Sequence, residues 1–256
     1  MEDFRDLEGD PNFMRSLARG LLVITAFADR KTPMTIAELA RITKLDRSVV
    51  RRCLYTLTQL GFAQTHDSRF SLDPSILQLG HSYFSSSRLV EASQPYLDQL
   101  GNSIYTNCAL AIMSNHEVVY LSRFQSKRLI QKHIGLGSRL PAYCTSVGRV
   151  LLAMLDADEL DTYLDRETLR PYTEYTVFEK SQLKHLIEKT AEDGFCILDQ
   201  EIELGMAAIA VPVKTDVAQT SMALSVTVNT KFVAANQLRD MYLDKMTQLA
   251  SKLSTL

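Results

Sequence analysis

Arg47, Ser48, Arg51, Arg52 and Tyr55 recur at helical spacing, and Thr58 completes the same face. Between them Val49, Val50, Cys53, Leu54, Leu57 and Leu60 form an apolar stripe. A helix patterned this way buries one side and offers guanidinium groups on the other. Guanidinium suits phosphate oxygens and the O6/N7 edge of guanine, and a DNA major groove admits one α-helix. The same face also fits an ordinary helical hairpin whose charges are solvated, so the flanking chain has to discriminate.

The arginines lie in TIAELARITKLDRSVVRRCLYTLTQLG, residues 35–61. Thr35 followed by Glu38 is a capping box, and Ile36, Leu39, Ala40 and Ile42 give the first helix its apolar face. Lys44-Leu45-Asp46 is a tight turn, with Asp46 placed to cap the arginine helix and Gly61 to close it. Two helices joined by so short a turn predict a helix-turn-helix. A preceding helix over residues 16–28 has Leu17, Leu21, Leu22, Ile24 and Ala28 on its apolar side. Arg15 and Arg19 at its start are placed for backbone phosphate. Extended runs over residues 62–65 and 70–72 flank His66-Asp67-Ser68-Arg69, a hairpin tip of the kind found in a wing. Arg69 there either touches DNA or is a solvated loop residue. The expected DNA-contacting set is therefore Arg15, Arg19, Thr35, Arg47, Ser48, Arg51, Arg52, Tyr55 and Arg69.

Charge supports the division. Residues 12–71 hold ten Lys and Arg against four Asp and Glu, whereas residues 72–256 hold seventeen against twenty-one. A basic module joined to a mildly acidic body fits a nucleic-acid reader attached to something else. We expect a DNA-binding domain at 12–73, a linker helix at 74–90 beginning at Pro74, and an effector-binding and oligomerisation domain at 91–256. The linker helix packs either on its copy in a dimer or on its own domain.

From residue 92 helices and strands mix. Helices are expected over residues 94–105, 145–155, 158–164, 181–193 and 233–253. Strands are expected over residues 107–114, 118–124, 128–134, 195–199, 207–213 and 221–229, so the fold class is α+β, with an antiparallel or mixed sheet covered by helices. The four cysteines are widely spaced, which argues against a disulfide framework. No apolar run reaches about 18 residues and the acidic N-terminus is no signal peptide, so a cytoplasmic location without membrane contact is expected. Cys144 before a helix start suggests an activated thiolate, but the histidines offer it no partner base at a signature spacing. Nucleophile-elbow, phosphate-loop and zinc-protease motifs are missing from the sequence. No catalytic residue, metal ligand or cofactor is expected. A ligand-binding module that does not bind DNA remains the competing reading.

The stretches SLARGLLVITAF, LDPSILQLG, LPAYCTSVGRVLLA and DQEIELGMAAIAVPV, with the helix-turn-helix, resemble the isocitrate-lyase-regulator (IclR) family of bacterial transcription regulators. The resemblance runs from about residue 13 to the C-terminus. It implies a winged helix-turn-helix, a linker helix, a GAF-like C-terminal α/β domain that binds a small molecule, and dimers or tetramers on operator DNA. RSLARGL, RLPAYCTSVGRVLLA and LGMAAIAVPV most resemble the branch that controls β-ketoadipate pathway genes in response to protocatechuate, 4-hydroxybenzoate or related acids. A small aliphatic acid such as a keto acid is the alternative effector.

A carboxylate effector needs an N–H-rich or cationic end to its cavity. The helix starting near Thr145 provides free backbone N–H groups, although Thr145 and Ser146 also suit simple capping. The resemblance implies effector contacts at Ser146, Val147, Ser225 and Thr227, with Asp199, Met206 and Ala208 near the pocket and Leu140 as wall. Leu198 stands where a pocket Asp is expected. Met222, Leu224, Val226 and Val228 alternate with Ala223, Ser225 and Thr227, whose side is either solvent-facing or the cup of the pocket. Arg128, Arg139 and Tyr143, close in sequence to the helix start, are the candidate polar partners of an aromatic acid.

Overall fold

The computed structural model describes residues 9–28, 32–86, 88–127, 134–214 and 221–255. Arg128 and most of the strand expected at 128–134 lie outside them. The chain divides into two compact units, Met1–Ser86 and Ser87–Leu256.

In the first unit, α1 (Arg15–Thr25), α2 (Ile36–Thr43) and α3 (Arg47–Gln59) precede an antiparallel hairpin of β1 (Ala63–His66) and β2 (Arg69–Leu72). Thr35 caps α2 in a reciprocal box: its backbone N–H donates to Glu38 at 2.7 Å and its hydroxyl accepts from the Glu38 N–H at 3.3 Å. Asp46 occupies the N-cap of α3 without a side-chain capping bond, so its contribution there is charge at the helix start. Gly61, at φ 77°, ends α3 in a left-handed turn. There the N–H groups of Gly61 and Phe62 reach the carbonyls of Thr58 and Leu57, a Schellman motif. Met34 pairs with Phe70, fastening the start of α2 to the hairpin.

Val23, Phe27, Met34, Leu39, Val50, Leu54, Leu57 and Ala63 form the core of this unit. Five of the expected apolar-face positions in these helices are on the surface instead, Ala28 and Ile42 among them. Leu17 and Leu21 of α1 are exposed, because the helix turns Val23 inward and the turn that follows it buries Phe27. Leu60 is exposed because it lies beyond the last turn of α3, where the chain reverses. A 3-10 turn (Pro74–Ile76) then leads into α4 (Leu77–Ser86), which begins three residues after Pro74.

The second unit opens with α5 (Arg88–Ile104), which runs through Pro95 and starts earlier than the expected residue 94. A proline in that position forfeits one helical hydrogen bond without ending the helix. Then follow β3 (Asn107–Ser114), β4 (Glu117–Phe124), β5 (Arg139–Pro141), α6 (Ser146–Leu152), α7 (Ala157–Arg166) and α8 (Lys180–Asp193). After these come β6 (Cys196–Asp199), β7 (Met206–Val213), β8 (Met222–Asn229) and α9 (Leu238–Leu253). A 3-10 turn, Ala235–Gln237, occupies the first part of the helix expected from residue 233.

The strands form one antiparallel sheet in the order β5-β4-β3-β8-β7-β6. Alternation along β8 sorts its two faces. Met222, Leu224, Val226 and Val228 join the core under α5 and α9. Ala223 joins the core shared with α6, α7 and α8. Small residues on that second face (Ala109, Ala111, Ala210 and Ala223) let α6 approach the sheet closely.

Candidate functional site

The first candidate site is the outer face of α3. Arg47, Ser48, Arg51, Arg52 and Tyr55 are all exposed, with Tyr55 at 67%. Among the described residues no carboxylate pairs with Arg47, Arg51 or Arg52, so their charge is available to a partner. The apolar stripe and the caps at both ends fix the helix, and the helix fixes the arginine face. Arg15 is exposed at the start of α1. Arg19 is half-buried, its Nε is buried without a hydrogen-bond partner among the described residues, and it lies close enough to Cys53 to oppose the upward push of burial on that thiol.

The hairpin tip differs from a freely cationic wing. Arg69 donates to the carbonyl of Pro33 at 3.0 Å and lies 3.6 Å from Glu38. It therefore braces the hairpin against the start of α2. His66 and Asp67 pair at 3.0 Å at the exposed tip itself. Thr35 is committed to its capping box, with its hydroxyl also 2.8 Å from Glu38.

The second candidate site is the start of α6, whose residues are all buried. Thr145 is its N-cap: the hydroxyl accepts from the Gly148 N–H at 3.2 Å and lies 3.2 Å from the Pro141 carbonyl. The N–H groups of Ser146 and Val147, in the first turn, find no acceptor among the described residues. Buried donors without partners are rare, and at a helix start they favour an anion. Gly148 lets this turn lie against the preceding loop, since a Cβ there would sit 2.1 Å from the Ala142 carbonyl oxygen.

The side of β8 bearing Ser225 and Thr227 does not face solvent in full. Ser225 is buried, with its hydroxyl 3.4 Å from the Ala109 carbonyl, and Thr227 is half-buried. Leu140 packs on the same core as α6, as does Leu198. Across the sheet Thr227 pairs with Ala208, and Met206 with Asn229. Met206 is buried, Ala208 half-buried and Asp199 exposed.

Two of the polar candidates are already engaged. Arg139 is exposed and donates to Glu117 at 2.6 Å and to the Ser114 carbonyl at 2.9 Å. Tyr143 is buried; its hydroxyl donates to the Arg170 carbonyl at 2.7 Å and accepts from the Arg170 N–H at 3.1 Å. Burial pushes that phenol up to about 12. Cys144 is likewise pushed up to about 12 by burial, so its thiol stays protonated near neutrality and is no activated nucleophile.

The sequence reading missed the buried ion pair beside α6. Arg149 reaches Glu201 at 2.7 Å, and both side chains are almost wholly enclosed. Burial pushes the Glu201 carboxyl up, and Arg149 pulls against that shift. The available signal was an arginine inside the otherwise apolar run VGRVLLAML.

Comparison with known proteins places both units. Residues 16–67 match the family model described as the IclR helix-turn-helix domain, and residues 81–255 match the bacterial transcriptional regulator IclR C-terminal. The chain is 41% identical to the Pca regulon regulatory protein of Pseudomonas putida, over 92% of this chain and 81% of that one. A crystal structure of a transcriptional regulator from Rhodococcus sp. RHA1 superposes with a TM-score of 0.82 at 36% identity, covering 95% of this chain and 98% of that one. The inducer-binding domain of the PobR transcription factor from Acinetobacter, a double mutant in complex with 3-hydroxybenzoic acid, superposes with a TM-score of 0.60. Its identity is 28%, and the match covers 66% of this chain and 98% of that domain. With both of its units matched, the chain belongs to the IclR family of bacterial transcriptional regulators.

Proposed function

We propose that this regulator binds operator DNA through the exposed face of α3, and that a small aromatic acid of the protocatechuate or 4-hydroxybenzoate type controls that binding from the start of α6. The observation that carries the effector reading is the pair of N–H groups of the buried residues Ser146 and Val147, which find no acceptor among the described residues. They offer a carboxylate the positive end of a helix. Ser225, Thr227, Ala208, Met206 and Leu140 would line the remainder. The relative that regulates the Pca regulon and the hydroxybenzoate complex of the PobR domain support an aromatic ligand. Arg139 and Tyr143, held by Glu117 and Arg170, are the weaker candidates for the carboxylate.

In this reading residues 74–90 link the two domains, the protein acts in the cytoplasm, and it performs no catalysis. It also acts as a homodimer or homotetramer. Met14, Leu17 and Leu21 of the first helical segment and Leu77, Leu79 and Tyr83 of α4 are exposed apolar residues that a second copy would cover. A solution mass of a single protomer at micromolar concentration would contradict that assignment.

Thermal unfolding tests the effector reading, because a ligand that binds only the folded state must stabilise it. At one hundred times Kd the gain is about 2.7 kcal/mol. For a chain of this size that raises Tm on the order of 5–10 °C. A flat response to both protocatechuate and 4-hydroxybenzoate would refute the proposed ligand class.

A further inference from the structure

Arg149 and Glu201 do more than neutralise one another. Arg149 Nε donates to the carbonyl of Tyr143 at 2.8 Å, just ahead of the α6 cap. Its Nη2 donates to Glu201 Oε2 at 2.7 Å, and the same oxygen accepts from the Val177 N–H at 3.0 Å. Thr176 donates to the Glu201 carbonyl, and Thr173 donates to the Gln200 carbonyl at 2.7 Å. At the other end of that segment, Arg170 and the Tyr143 hydroxyl exchange two hydrogen bonds.

The contacts close a ring from Tyr143 through Arg149, Glu201 and Val177, and back along the chain to Arg170 and Tyr143. On the outer arc of the ring Tyr172 and Tyr175 are exposed, and Phe178 follows just beyond it, also exposed. Removing two charges from water costs several kcal/mol per ion, and apolar replacements of such pairs are often as stable. Stability alone is therefore a poor account of this pair. The two backbone attachments its side chains make, to the Tyr143 carbonyl and the Val177 N–H, are a better one.

We infer that Arg149 and Glu201 are positioning residues that make the start of α6 and residues 170–177 a single mechanical body, so that effector seated at α6 is registered at the exposed aromatic segment. The ligand-dependent half of this statement rests on the effector reading above; the mechanical half does not.

Amide hydrogen exchange on the full chain tests both halves, using the parent, Glu201→Gln and the apolar double variant Arg149→Met/Glu201→Leu. Without ligand, residues 143–148 and 170–177 are expected to exchange roughly tenfold or more faster together in the double variant, as befits loss of hydrogen bonds to charged groups. Protection in α5 and α9 should be unchanged. Glu201→Gln keeps an acceptor oxygen and should restore part of the protection; it also supplies the reading if the double variant does not fold. If either segment keeps the parental rate in both variants, or if α5 and α9 loosen equally, the inference is overturned. With 4-hydroxybenzoate the parent should slow exchange in both segments and the double variant only at 143–148. Slowing of both segments in the double variant would overturn the coupling. A parent indifferent to the acid would overturn the effector reading, and the ligand-free rates would still decide the pair.

Discussion

Gly148 shows how closely the α6 site depends on single atoms. A Cβ there would meet the Ala142 backbone at 2.1–2.5 Å, and backbone cannot rotate away as a side-chain tip can. Gly148→Ala should cost about 1–3 kcal/mol through overpacking. That corresponds to a fall in Tm of roughly 2–4 °C per kcal/mol, readable by calorimetry. An unchanged Tm would mean that the turn has room the structure does not show. The capping role of Thr145 was legible from residue type and its place before an apolar run. The commitments of Arg139 and Tyr143 were not, because Glu117 and Arg170 lie 22 and 27 residues away and only folding brings them together. Glu201, 52 residues from Arg149, escaped for the same reason.

Elements were read best where local chemistry sets them. The α2 capping box, the close of α3 at Gly61 and the alternation of β8 all follow from neighbours within a few residues. Boundaries were missed where tertiary contacts override such cues, as in α5 running through Pro95 to place Val90 and Ser93 inside. The capping box also carries a pH dependence. The backbone and side-chain hydrogen bonds from Thr35 hold the Glu38 carboxyl below its usual range. A carboxyl with a lowered folded pKa contributes stability that is present above its unfolded value and lost as pH falls through the folded one. Thr35→Ala should cost about 1 kcal/mol near neutrality. The deficit should shrink in acid without vanishing, because the parent loses the hydroxyl's bond to the ionised Glu38 carboxyl but keeps the Glu38 N–H bond to that hydroxyl. Melts across pH 2–7 check this, and a deficit independent of pH would separate Glu38 from the cap.

At the scale of the whole molecule, the sheet with helices on both faces followed from the mixture of periods along the sequence. Which face of that sheet holds the site was not legible from periodicity. The face proposed above is the Ala-rich side on which α6 lies, where two N–H groups find no acceptor among the described residues. Among the described residues, no helix is long and apolar enough to cross a membrane. The central claim is that the arginine face of α3 is the surface that holds DNA. Its most direct test is the affinity for promoter DNA as a function of salt, for the parent and for Arg51→Ala/Arg52→Ala. Each phosphate contact removed should flatten the slope of log K against log salt by about one unit. The account therefore predicts a double variant that binds at least tenfold more weakly, with a shallower slope and an unchanged Tm, since both side chains are solvent-exposed and pair with no carboxylate among the described residues. A double variant that matches the parent in affinity and slope would contradict it.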